Sequence, residues 1–180
     1  TPRLGRVEGH GHESRKHQRL ESIVIKEVGH GSFLRRIAIN VGAGYVPGLN
    51  SVVMGTALAA GKLGWEVVGI RDGFDGVLHP DRYPEGGLVP LGPAQIENLD
   101  PAGGGLLGQA AYVDPFHVRR VNEDGLVEET DESDRLLAAL RKEQIDAVVS
   151  VFGGRGLSIL LKLHRKGLNT VCVPRSAEND

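Results

Sequence analysis

The sequence has one cysteine, Cys172, one methionine and one tryptophan, and aromatic residues make up only 4% of it. A lone cysteine excludes an intramolecular disulfide framework and any zinc or iron–sulfur site built from several cysteines. No apolar run approaches the roughly 20 residues that a membrane-spanning helix requires. No charged segment followed by an apolar one reads as a signal peptide, so the expectation is a cytoplasmic protein with no membrane partner. An excess of either charge is missing as well. Lys and Arg number 21 against 23 Asp and Glu, a formal charge of −2, which gives no electrostatic case for general nucleic-acid binding.

Glycine is what the chain has in quantity, 26 residues in 180. Its placement matters more than its number. The first 35 residues are polar, with His10, His12 and His17 among Arg3, Arg6, Arg15, Lys16 and Arg19. They follow neither helical nor strand periodicity and read as a flexible N-terminal arm. Ile23-Val24-Ile25 is a short strand candidate, and His10, His12 and Glu13 are candidate metal ligands weighed against an ordinary solvated tail.

From Arg36 the pattern becomes regular. Ile37–Val41 reads as a buried strand, followed by the glycine-rich stretch 42–48 and a helix capped by Asn50 or Ser51, with Val53, Ala57, Leu58 and Ala60 inward. Gly64 is placed to end that helix, and Trp65–Ile70 reads as a second strand. Residues 71–130 are broken by Pro80, Pro84, Pro90, Pro93, Pro101 and Pro115. Ala94–Leu99 reads there as a short helix, Gly103–Gly105 as a tight turn, and Tyr112–Val127 as a hairpin around Asn122–Gly125.

Regularity returns with a helix capped by Asp131 or Ser133 and carrying Leu136, Leu137 and Leu140 on one face. Then come a strand, Ile145–Phe152, and a second glycine loop, Gly153-Gly154-Arg155-Gly156. The helix Leu157–Lys166 ends at Gly167, and a last strand, Asn169–Val173, contains Cys172 as a small core residue. The alternation of strands and helices predicts an α/β fold, a Rossmann-like parallel sheet with helices on both faces.

Two strand–glycine–helix junctions in one parallel sheet put two helix N-termini on one rim. There unpaired N–H groups and the helix dipole suit an anion such as phosphate. Ordinary tight turns use glycine too. A third strand end, Pro174–Asp180, carries two carboxylates and a hydroxyl to the same rim. A carboxylate there can take a proton from a substrate hydroxyl in phosphoryl transfer, or simply cap the next helix.

Five segments in order carry a resemblance to the N-terminal half of the 6-phosphofructokinase family. Residues 43–50, Ala-Gly-Tyr-Val-Pro-Gly-Leu-Asn, resemble its first loop, G-G-D-x-P-G-M-N. Asp72-Gly73-Phe74-Asp75-Gly76 is similar to D-G-[YF]-x-G, and residues 103–108 to G-G-[TS]-x-L-G. Gly153–Gly156 stands for G-G-D-G, and Pro174–Asp180 for P-[GK]-T-I-D-N-D. The resemblance makes 36–180 a phosphofructokinase-like N-terminal α/β domain, about half of a family chain.

The resemblance implies phosphoryl transfer from ATP or pyrophosphate to the 1-hydroxyl of fructose 6-phosphate, with Mg²⁺, in a homo-oligomer. Glu178 and Asp180 would be the catalytic acids, Glu178 taking the hydroxyl proton. Ser176, Arg175 and Glu178 would bind the substrate. Ala43, Gly44, Gly154, Arg155 and Gly156 would lie along the donor phosphates, and Gly156 inclines the choice of donor to ATP.

Several positions depart from the pattern. Arg155 stands where the family has an Mg²⁺-associated Asp, and a guanidinium cannot ligate a cation, although it pairs well with phosphate. Tyr45 replaces an Asp, Ala43 a glycine, and Ala111 stands where many members have a phosphate-contacting Arg. Glu178 is one methylene longer than the family's Asp. A non-catalytic, regulatory subunit of the same family is therefore the second reading. A third is an NADP-binding Rossmann oxidoreductase, with the glycines of 42–48 as fingerprint and Arg71 near the second strand end.

Overall fold

The computed structural model describes residues 35–42, 47–108 and 114–175. The expectations for the N-terminal arm (Arg35 apart), for His10, His12 and Glu13, and for a strand at Ile23–Ile25 lie outside the described residues. So do Ala43, Gly44, Tyr45, Ala111, Ser176, Glu178 and Asp180.

Alternation along the strands sorts the apolar residues onto two faces. In β1 (Arg36–Val41) Ile37, Ile39 and Val41 enter one core, while Ala38 enters the other. That is the period-2 rule acting on a strand covered on both sides. β1 pairs in parallel with β2 (Glu66–Ile70) on one side and with β6 (Ala147–Phe152) on the other, and β6 pairs in parallel with β7 (Thr170–Pro174). The strand order is β3-β2-β1-β6-β7. The parallel core is as expected. The short edge strand β3 (Leu88–Pro90), which runs antiparallel to β2, is not. Three residues between Gly87 and the loop before Pro93 hold too little pattern to show as a strand.

Helices cover both faces. α1 (Leu49–Lys62) brings Leu49, Val53, Ala57 and Ala60 to one face, joined by Ile96 of α3 (Pro93–Glu97). The other face takes Val77 and Leu78 of α2 (Asp75–Leu78), Leu136, Leu137 and Leu140 of α4 (Ser133–Lys142), and Ile159, Leu160 and Leu163 of α5 (Gly154–Arg165). β4 (Val118–Val121) and β5 (Val127–Thr130) form a separate antiparallel hairpin, three residues longer at its far end than the spacing indicates. Among the described residues no helix is long and apolar enough to cross a membrane.

Three local expectations are corrected. α1 is not capped by Asn50 or Ser51. Gly48 occupies the N-cap with φ 81°, a left-handed conformation that favours glycine. Asn50 Nδ2 and Ser51 Oγ instead donate to the carbonyls of Asp100 and Pro101, at 2.9 and 2.8 Å. Leu58 faces outward and is 53% exposed. At α4 the N-cap is Glu132, and Asp131 accepts the Ser133 N–H at 2.8 Å one residue earlier. Cys172 packs half-buried against the α4–α5 core as expected, and burial raises its thiol pKa.

Candidate functional site

The chain runs from β1 to one side of the sheet through α1 and β2, and later returns to the other side at β6. The carboxyl ends of β1 and β6 therefore flank the point where strand order reverses. In open α/β sheets that crevice is where ligands sit. Because β1, β6 and β7 are parallel neighbours, the segments after Val41, Phe152 and Pro174 leave from the same rim.

Backbone contacts tie these ends together. The Gly42 N–H donates to the Val151 carbonyl at 2.9 Å, and the Arg175 N–H to the Phe152 carbonyl at 3.2 Å. A β-carbon on Gly153 would stand 2.6 Å from the Arg175 carbonyl oxygen. One on Gly42 would stand 3.5 Å from Arg175 Nη2 and 3.1 Å from Phe152 Cδ1. Arg175 thus leaves β7, crosses the end of β6 and brings its guanidinium beside Gly42. A phosphate at these strand ends would meet the Arg175 guanidinium.

The second glycine segment is not a loop. Only Gly153 lies outside α5, as its extended N-cap, and Gly154, Arg155 and Gly156 form the helix's first turn. The Gly156 N–H donates back to the Gly153 carbonyl at 2.8 Å. Gly156 serves packing: a β-carbon there would meet Phe152 Cβ at 2.6 Å. Phe152, in turn, packs edge-on against Phe74, with ring centroids 5.9 Å apart. The N-terminus of α5 points its dipole at the rim, and exposed Arg155 adds a second guanidinium to it.

The expectation of two equivalent helix N-termini is corrected. At α1 the Gly48 and Asn50 N–H groups donate to the carbonyls of Ala102 and Gly103, at 3.1 and 3.0 Å. The Gly103–Gly105 stretch is therefore not a turn in its own right. It follows a turn closed by the Gly103 N–H on the Asp100 carbonyl, and it closes off the start of α1. Of the two helices, α5 is the one whose first-turn N–H groups donate to no carbonyl of another segment among the described residues.

At the end of β2 stands the segment Asp72–Gly76. Asp72 is left-handed at φ 49°, and its N–H donates to the Leu107 carbonyl at 2.7 Å. Here the structure adds a network that sequence reading missed. The Asp75 carboxylate accepts from His79 Nδ1 and Arg82 Nη1, both at 2.8 Å, and from the Tyr83 hydroxyl at 2.9 Å. The same hydroxyl lies 3.0 Å from Asp72 Oδ2. Burial and the two carboxylates push the Tyr83 phenol pKa upward. The Asp75/His79 spacing of four was the available signal, since it sets both side chains on one helix face.

The described part of the rim does not fit a divalent cation. Arg175 and Arg155 follow the ends of β7 and β6, Asp72 follows β2, and among the described residues no group of three His, Cys, Asp or Glu could hold a metal.

Residues 36–180 match the family described as Phosphofructokinase. The ATP-dependent 6-phosphofructokinase of Chloroflexus aggregans is 33% identical over 146 residues, 81% of this chain and 38% of that enzyme. The pyrophosphate–fructose 6-phosphate 1-phosphotransferase of Amycolatopsis methanolica is 31% identical over 146 residues, again 81% of this chain and 38% of that enzyme. The chain thus spans about two fifths of the length of these relatives. Among solved structures, the phosphofructokinase of Pichia pastoris superposes with a TM-score of 0.59 at 20% identity, over 81% of this chain and 15% of that one. That of Saccharomyces cerevisiae gives 0.53 at 21% identity, over 79% and 20%. At such identity the structural likeness speaks for the fold.

Proposed function

Because the chain belongs to the phosphofructokinase family, we propose that it is the donor-binding part of a 6-phosphofructokinase that transfers a phosphoryl group from ATP, or from pyrophosphate, to the 1-hydroxyl of fructose 6-phosphate. One observation carries the reading. Three parallel strand ends, the N-terminus of α5 and the guanidinium of Arg175 meet at the switch point of the sheet.

In this reading the donor phosphates lie against Ala43, Gly44 and Gly154, with Arg155 and Arg175 neutralising their charge and Gly156 packed behind them against Phe152. Ser176 sits by the transferring phosphate. Glu178 takes the proton of the sugar hydroxyl as its oxygen bonds to phosphorus. The phosphorus–oxygen bond to the leaving ADP or orthophosphate breaks in the same step, and Asp180 is the second acid. Support for the last segment is that β7 ends at Pro174 on this rim, just before it. The family expects Mg²⁺. With Arg155 in the first turn of α5, the positive charge comes from side chains, and no step is routed through a metal ion. A cytoplasmic, homo-oligomeric enzyme is part of the same proposal. The NADP-oxidoreductase alternative is set aside by the family match.

Arg155 favours one second reading, a regulatory subunit that binds phosphate ligands without turnover. The test is a coupled assay of the full-length protein with fructose 6-phosphate and either donor. Fructose 1,6-bisphosphate formation supports the kinase. Donor binding without product selects the regulatory subunit.

A further inference from the structure

Away from the glycine crevice, a cleft of about 550 Å³ opens between the 3-10 turn Pro80–Arg82, strand β4 and helix α4. Arg82, Arg119, Arg120 and Arg135 line it, with His79, and Asp81 is the one carboxylate in the lining. These guanidiniums come from three elements, Arg82 from the 3-10 turn, Arg119 and Arg120 from β4 and Arg135 from α4, and buried acids behind them hold most of them in place. Asp75, 8% exposed, takes Arg82 Nη1 at 2.8 Å. Glu132, 9% exposed, takes Arg135 Nη1 at 2.7 Å and pairs with Arg120 Nη2. His79 bridges the two systems: its Nδ1 hydrogen goes to Asp75, and its Nε2 faces Arg120 Nη2 at 3.5 Å.

The recessed carboxylates offset much of the charge, but they engage the guanidiniums by one edge. Among the described residues Arg82 Nη2, Arg120 Nη1 and both terminal nitrogens of Arg119 have no partner. Arg119, 76% exposed, is tied only by Nε to Glu129 at 3.4 Å. Several preoriented donor edges facing one concavity match the oxygens of a phosphate dianion, which accepts paired N–H groups from arginine. Preorganisation of Arg82, Arg120 and Arg135 removes much of the entropy cost of ordering these three long side chains around a small anion.

The geometry points to a second anion site in this cleft, one that takes a small phosphorylated or polyphosphate ligand independently of the glycine crevice. Its test uses the whole chain and inorganic pyrophosphate, followed by the side-chain Nε–Hε resonances of the arginines. Pyrophosphate shifts the signals of Arg82 and Arg119 saturably. Arg82→Gln combined with Arg119→Gln weakens pyrophosphate binding, read in that variant at the Nε–Hε signals of Arg120 and Arg135, about tenfold or more, the size of a lost charge-assisted contact. The paired variant leaves Glu132 its own arginines, and its amide spectrum reports whether the fold is kept. Asp81→Asn tightens binding several-fold, by removing the one carboxylate of the lining. Shifts at Gly153 and Arg175 without any at Arg82 and Arg119 would leave the crevice reading standing and overturn this one. So would an unchanged response in the folded double variant.

Discussion

Gly153 lies against the backbone of Arg175: a β-carbon on Gly153 would lie 2.6 Å from the Arg175 carbonyl oxygen. The end of β6 and the end of β7 are held together because that residue has no side chain. Gly153→Ala must push β7's end away, at a cost of about 1–3 kcal/mol, and carry Arg175 off Gly42. Pyrophosphate or ATP affinity at the crevice should fall with it. Urea unfolding and calorimetric titration of the variant check both effects. Unchanged affinity would mean the ligand does not use this junction.

Tyr83 gives a pH prediction. Its phenol is half-buried and shares its one proton between the carboxylates of Asp75 and Asp72, so its folded pKa lies above the usual value of about 10. For a group raised on folding, the stabilisation is complete below the unfolded pKa and drains away as pH rises through the folded one. Tyr83 should therefore keep its proton when ordinary tyrosines have ionised, and its ionisation should coincide with loss of the fold. Tyrosinate absorbance, compared between the protein and Tyr83→Phe, shows whether a late phase is missing from the variant.

Asn40 and Ser150 face each other in register across β1 and β6, and both are fully buried. Asn40 Nδ2 donates to the Gly73 carbonyl at 3.2 Å. Its Oδ1 and the Ser150 hydroxyl have no hydrogen-bond partner among the described residues. An unpaired buried hydroxyl costs more than it returns, so Ser150→Ala should be neutral or stabilise by about 1 kcal/mol. A denaturation midpoint that falls instead would show that the hydroxyl has a partner.

Arg155→Asp puts a carboxylate in the first turn of α5, where the family has one. In the full-length protein this change should make donor binding depend on Mg²⁺ and raise metal-dependent turnover. Donor titrations with and without EDTA decide it. A variant indifferent to the metal would show that Arg155 is not what sets the charge at this position.

Much of the fold was legible because it rests on periodicity. The parallel strands announce themselves as apolar runs, and α4 and α5 as spaced leucines followed by the left-handed residues Gln144 and Gly167. Residues 71–117 were opaque for a physical reason. α2 is four residues long, the 3-10 turn three and β3 three, too short for any period to repeat. Their order comes from tertiary contacts, such as the close approach of Gly76 and Gly87 and the carboxylate of Asp75. The rim was read correctly as the meeting place of three strand ends. The reading of its glycines was less accurate. Gly156 makes room for Phe152, and the start of α1 is closed by carbonyls of residues 102 and 103. Close approach and amide occupancy depend on neighbours distant in sequence, which a loop motif does not display.

The most direct measurement is an amide shift map of this chain titrated with ATP and with pyrophosphate. If the strand-end crevice holds the donor, the signals of Gly42, Gly153, Gly154 and Arg175 move together along one saturable curve, while those of Gly48 and Asn50, closed off behind residues 102 and 103, stay behind. Saturable binding of both donors that leaves Gly42, Gly153 and Arg175 in place would contradict the account.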